Sequence, residues 1–100
     1  MKKIALITGA TSGIGKACAR RFAAGGYDLI LTARRADMLA QIKTELEAEG
    51  TKVLTLVFDV RDAEAAEAAI ASLDGAWRHI DVLINNAGLA LGLDKEYEGN

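Results

Sequence analysis

Eight consecutive residues near the amino terminus, Thr8-Gly9-Ala10-Thr11-Ser12-Gly13-Ile14-Gly15, combine three glycines with three small hydroxyl side chains just ahead of a helical pattern. Glycine lets backbone approach a ligand closely, and a helix N-terminus offers amides without intrahelical acceptors together with positive partial charge. Gly9, Ala10, Thr11, Ser12, Gly13, Ile14 and Gly15 are therefore candidates to cradle a diphosphate. A nucleoside-triphosphate P-loop is the nearest competitor, because Gly15-Lys16 resembles its end. That motif needs glycine where Ala10 stands and serine or threonine where Ala17 stands, so both its turn and its magnesium ligand are missing. The commonest dinucleotide spacing also fails, since Cys18 occupies the position of its third glycine; the spacing Gly9, Gly13, Gly15 applies instead. A plain glycine turn joining strand to helix is the alternative for this segment alone.

Three further clusters follow. An enzyme using NAD would offer a carboxylate to the ribose hydroxyls about 20 residues past the glycine motif. Here Arg34 and Arg35 follow Ala33. Charge-assisted bonds of about 1.5 to 3 kcal/mol each suit a 2′-phosphate and point to NADP rather than NAD; a solvated basic corner is the alternative. Asp37 lies too late for the ribose and is expected to cap a helix. In Asp59-Val60 the carboxylate could accept from an adenine amino group while the valine packs the ring, or Asp59 could simply close a strand by holding local amides. In Asn85-Asn86-Ala87-Gly88 two amides can bridge backbone, and the small residues let a cofactor come close. His79 has no carboxylate or cysteine partner nearby in sequence and reads as solvated, and Cys18 reads as a small core residue.

These clusters need a scaffold that brings them to one edge. Ile4 to Thr8 is a β-branched and aliphatic run stopped by Gly9, a buried strand. Ile14, Cys18 and Phe22 recur every four residues on a helix that Gly25-Gly26 ends. Tyr27 to Ala33 is a second strand, and Leu39, Ile42 and Leu46 mark a second helix from about Asp37 with Gly50 at its cap. Lys52 to Phe58 is a third strand. Asp62 caps a third helix with Ala66, Ala69, Ile70 and Leu73 inward, closed by Asp74-Gly75 and sealed by Trp77. Ile80 to Asn85 is a fourth strand. Strand and helix alternating at intervals of roughly 25 residues predicts an α/β fold with a Rossmann-type parallel sheet. Residues 1–88 form the expected dinucleotide-binding half-domain, and 89–100 a loop or tail.

The 100 residues suffice for one small domain; 51% are apolar and 26% charged, ordinary proportions for a packed core. Twelve basic against fourteen acidic residues give a net charge of −2, which offers no field for nucleic acid or an anionic membrane. The apolar run after Lys2-Lys3 breaks at Thr8-Gly9, short of a signal core, and no stretch approaches membrane-spanning length. The single Cys18 can build neither an internal disulfide nor a multi-cysteine metal site, so no metal and a cytoplasmic, reducing setting are expected.

Taken together, Thr8-Gly-x-x-x-Gly13-x-Gly15, Asp59-Val60 and Asn85-Asn86-Ala87-Gly88 resemble the short-chain dehydrogenases and reductases in order and spacing, over essentially the whole chain. Ile80 to Gly92, with Trp77 upstream, looks most like the NADP-dependent 3-hydroxy acid, serine-type members. The resemblance implies strand order 3-2-1-4, NADP as cofactor, hydride transfer with an alcohol or carbonyl small-molecule substrate, and a homo-oligomeric parent. It also implies a catalytic tyrosine with a lysine four residues later. Tyr27 begins a strand and Tyr97 would need its lysine at residue 101, so no catalytic residue is assigned within the chain. The expectation is thus the amino-terminal, cofactor-binding half of a longer enzyme, inactive by itself, with Asn86 near the adjacent ribose. A stand-alone, non-catalytic NADP-binding module or a truncated remnant is the alternative. A methyltransferase is disfavoured because its cofactor wants an acidic residue where Arg34 stands.

Overall fold

The structure, a computed structural model, describes residues 2–59 and 61–86. Val60, Ala87, Gly88 and the 89–100 segment with Tyr97 lie outside the described residues. Four parallel strands, β1 (Ile4–Thr8), β2 (Asp28–Ala33), β3 (Val53–Val57) and β4 (Val82–Asn85), lie in the order β3-β2-β1-β4. Helices α1 (Gly13–Ala24), α2 (Ala36–Glu47) and α3 (Ala63–Ala71) make the crossovers. This is the Rossmann-type order expected.

Alternating side chains along the strands serve two faces. Ala5, Ile7, Leu29, Leu31 and Val53 pack with Ala19, Leu39, Ile42 and Leu46 of α1 and α2. Ile4, Leu6 and Ile30 pack on the other face with Leu73, Ile70 and Trp77. Burial on both faces explains why β1 and β2 read as continuous apolar runs. The Thr32 hydroxyl is fully buried and has no hydrogen-bond partner among the described residues.

Helix ends follow local chemistry. The Asp62 carboxylate accepts from the Ala65 N–H at 3.1 Å and starts α3. α2 stops where Thr51 N–H bonds Leu46 O at 3.2 Å and Gly50 N–H bonds Glu47 O at 3.0 Å, the paired bonds of a Schellman motif with Gly50 at its turn.

Several expectations need correction. Asp37 does not cap α2: Arg35 holds that position with no side-chain bond, and Asp37 sits in the first turn, where a carboxylate complements the helix dipole. β2 begins at Asp28, not Tyr27: the Tyr27 N–H closes on Phe22 O at 3.1 Å, and its ring meets Phe22 edge-on, ring centroids 4.9 Å apart. α3 ends at Ala71, and Gly75–Arg78 forms a separate 3₁₀ turn that carries Trp77 into the second core. Ile14 does not join the stripe of α1. It is 71% exposed, whereas Cys18 and Phe22 pack against the first core. Ile14 lies in the first turn of α1, directly after the loop that leaves β1. Among the described residues no helix is long and apolar enough to cross a membrane.

Candidate functional site

The loop from Thr8 to Gly15 is built almost entirely from bonds within the chain. Buried Thr8 ends β1, and its hydroxyl donates to Asn85 Oδ1 at 3.0 Å across the β1–β4 pair, where the two are register partners. Gly9 then turns the chain with φ +62°, a left-handed value that disfavours a side chain. The Ala10 N–H reaches the Thr32 carbonyl at 3.0 Å and ties the loop to β2.

Ser12 is the N-cap of α1, and its hydroxyl is fully committed. It donates to Gly9 O at 2.9 Å and accepts from Gly15 N–H at 3.1 Å and from Asn86 Nδ2 at 2.8 Å. One donor and two acceptor sites are all a serine hydroxyl has. The Asn86 amide also donates to Gly9 O at 3.1 Å, so a residue 77 positions away fixes the loop's shape. The structure thus brings Asn86 onto the glycine loop.

The amides of Ala10, Ser12, Gly15 and Lys16 bond within the chain, to Thr32 O, Gly9 O, Ser12 Oγ and Ser12 O. Gly13 and Ile14 are the first two helical residues, and their N–H groups have no intrahelical acceptor. With the Thr11 N–H, which also has no acceptor among the described residues, these are donors left for an anion, Gly13 and Ile14 at the positive end of the helix dipole.

The glycines of α1's first turn divide the same way. A Cβ at Gly15 would overlap the Gly9 carbonyl oxygen and come within 2.9 Å of the Gly9 carbonyl carbon and 3.0 Å of Ala10 Cα. Gly15 is therefore required by the fold. A Cβ at Gly13 would meet nothing within 4 Å. Internal packing makes no demand for glycine there, and the space before it is open. A diphosphate fits this arrangement: an open cradle with spare amides. Thr11 stands beside it, half-buried.

Neighbouring strand ends supply the charges. Phe58 N–H bonds Ala33 O at 3.1 Å, so the segments after β2 and β3 leave the sheet side by side. Arg34 and Arg35 are exposed there, and neither guanidinium has a hydrogen-bond or ion-pair partner among the described residues. Asp59 is engaged locally. Its Oδ1 accepts from Arg61 N–H at 2.9 Å and from Arg61 Nε at 3.1 Å, and its Oδ2 from Arg61 Nη2 at 2.8 Å.

The Arg61 guanidinium, and after it the Arg61 backbone N–H, hold the Asp59 carboxyl down to about 2 from 3.8; the charge of Arg34 adds to this and partial burial opposes it. A depressed carboxylate stabilises the folded chain above its unfolded value, and that contribution is lost between about pH 4 and pH 2. Arg61 was not singled out from the sequence, although the spacing Asp59-x-Arg61 is that of an Asx turn. His79 is exposed, and Cys18 is partly buried against the first core.

An open parallel α/β sheet with a glycine loop leading into α1, basic residues after β2 and an asparagine after β4 is the arrangement of a dinucleotide-binding protein. The chain belongs to the short-chain dehydrogenase family, whose model matches residues 3–99. It is 50% identical over 97 residues to the NADP-dependent 3-hydroxy acid dehydrogenase of Salmonella typhi, covering 97% of this chain and 38% of that protein. It is 52% identical over 91 residues to a sulfoacetaldehyde reductase of Chromohalobacter salexigens, covering 91% of this chain and 36% of that one. Among solved structures it resembles L-sorbose reductase from Gluconobacter frateurii complexed with NADPH and L-sorbose. The TM-score there is 0.80 at 38% identity, over 88% of this chain and 34% of that one. The chain therefore spans less than two-fifths of the length of these relatives.

Proposed function

We propose that these residues form the cofactor-binding portion of an NADP-dependent oxidoreductase that transfers hydride between NADP(H) and an alcohol or carbonyl carbon, with a 3-hydroxy acid as substrate. The observation that carries the cofactor reading is the pair of partnerless guanidinium groups, Arg34 and Arg35, beside a glycine loop already held by its own chain. The NADP-dependent relative and the NADPH-bound structural neighbour support the same reading, and the substrate class rests on the relative's name.

In this reading the backbone of Gly9 to Gly15 takes the diphosphate, with Gly13 and Ile14 N–H donating. Arg34 and Arg35 take the 2′-phosphate, Asp59 and Val60 the adenine, and Asn86, Ala87 and Gly88 the adjacent ribose. Bound nicotinamide supplies or accepts the hydride. The role of the residues described is to bind and orient. No catalytic group is assigned among these residues, and the chain alone is expected to turn over nothing.

Fluorescence titration with NADPH and NADH tests the proposal. NADPH is expected to bind at least about tenfold more tightly, a difference of about 1.4 kcal/mol, with no oxidation when a 3-oxo acid is added. Equal or reversed affinity would overturn the cofactor assignment. Turnover by the 100-residue chain would overturn its passive role.

A further inference from the structure

The corner after β2 and β3 holds a potential conflict. Arg34 and Asp59 leave adjacent strand ends, joined by the Phe58–Ala33 bond, and the charge of Arg34 is felt at the Asp59 carboxyl. A carboxylate left unpaired there would be an anion beside the segment that carries Arg34 and would repel an incoming phosphate. Arg61 removes the conflict. Its guanidinium and its backbone N–H occupy both Asp59 oxygens, with contacts of 2.8 to 3.2 Å.

This pairing is set by backbone as well as by side chains. Asp62 N–H bonds Asp59 O at 2.9 Å, and Asp62 then caps α3, so Arg61 is held between a turn and a helix start. Its position follows from the fold. With Asp59 neutralised, Arg34 and Arg35 form a local excess of positive charge on a chain whose net charge is −2.

We propose that Arg61 is a specificity-determining positioning residue: by engaging both oxygens of Asp59 it keeps that carboxylate from pairing with Arg34, and so leaves Arg34 and Arg35 for a 2′-phosphate. The proposal rests on the NADP reading above. It separates Arg61 from an ordinary exposed ion pair, whose removal changes little. Arg61 touches the cofactor in no step; it acts through Asp59.

The test is the ratio of NADPH to NADH affinity, measured by titration of the wild-type protein, Arg61→Ala, Arg61→Lys and the double variant Arg61→Ala/Asp59→Asn. In Arg61→Ala the ratio is expected to fall about fivefold, as a solvent-screened charge effect on the 2′-phosphate. Arg61→Lys should lie between, because one ammonium cannot match the fork of a guanidinium. The double variant should restore the ratio, since the freed carboxylate is then gone, while any loss of the adenine contact at Asp59 weakens both cofactors alike and cancels in the ratio. A wild-type preference for NADPH that survives unchanged in Arg61→Ala would overturn this proposal and leave the NADP reading standing. A ratio that stays low in the double variant would also overturn it, because the lost selectivity would not run through Asp59. No preference in the wild type would remove both.

Discussion

The two edges of the sheet contain similar polar side chains and treat them differently. At the amino-terminal edge the two aspartates are answered within the chain. Asp28 accepts from Lys52 N–H at 3.2 Å and lies 3.9 Å from the Lys2 ammonium, which donates to Gly50 O at 3.4 Å. The Asp81 carboxylate takes Ile4 N–H at 2.8 Å while Ile4 O takes Asp81 N–H at 2.9 Å, which extends the β1–β4 ladder. At the carboxyl edge the loop framework is equally well bonded, yet Gly13 and Ile14 N–H, Arg34 and Arg35 are left over. A cavity of about 320 Å³, lined by Ile4, Trp77, Asp28 and the two lysines, opens at the amino-terminal edge. Concavity is therefore a poor guide here. Lys3 and Lys52 also carry ammonium groups without a partner among the described residues, so spare charge alone does not mark a site; the carboxyl edge is set apart by free amides at a helix N-terminus beside two guanidinium groups, where parallel α/β sheets bind ligands.

The sharpest test of this contrast lies in α1's first turn. Gly15→Ala forces a methyl group into the Gly9 backbone, which cannot yield as a flexible side chain would. It is expected to cost about 3 kcal/mol or more, seen as a fall in the urea midpoint. Gly13→Ala, two residues away, faces open space and should change stability by less than about 0.5 kcal/mol. It should nonetheless weaken NADPH by about tenfold, because the methyl group stands where the cradle is open. If Gly13→Ala were the more destabilising of the two, the division between glycines that build the loop and glycines that leave room would be wrong.

A smaller effect compares the edges directly. Asn86→Ala removes the bonds to Gly9 O and Ser12 Oγ and is expected to cost about 1 kcal/mol together with a loss of NADPH affinity. Asp28→Asn, at the opposite edge, should leave NADPH affinity within about twofold of wild type, as distant sites act independently. Thermal melts and cofactor titrations on the two variants check both statements.

What the sequence disclosed and what it hid follow from the range of each interaction. Leu39, Ile42 and Leu46 bury as their spacing predicts, and Asp62 caps α3, because both patterns act within a few residues. Ile14 has the same period as Cys18 and Phe22, but periodicity carries no information about which turns of a helix pack against the core. The Gly75–Arg78 turn is too short to leave a repeat. The glycine motif was visible as a motif. Which of its amides remain free depends on Ser12 and on Asn86, 77 residues from Gly9, and that only the fold reveals. The role proposed for Arg61 is not legible in the sequence because it depends on the pairing of β2 with β3, which sets the segments that carry Arg34 and Asp59 side by side.

The most direct test of the central claim is to follow backbone amide chemical shifts of the nitrogen-15-labelled protein as NADPH is added. The account predicts that Gly13, Ile14, Arg34, Arg35, Asp59 and Asn86 shift together and saturate at one concentration, while Lys2, Asp28, Lys52 and Trp77 stay in place. Shifts gathered around the Lys2–Lys52–Trp77 cavity, with Gly13 and Ile14 unmoved, would contradict it.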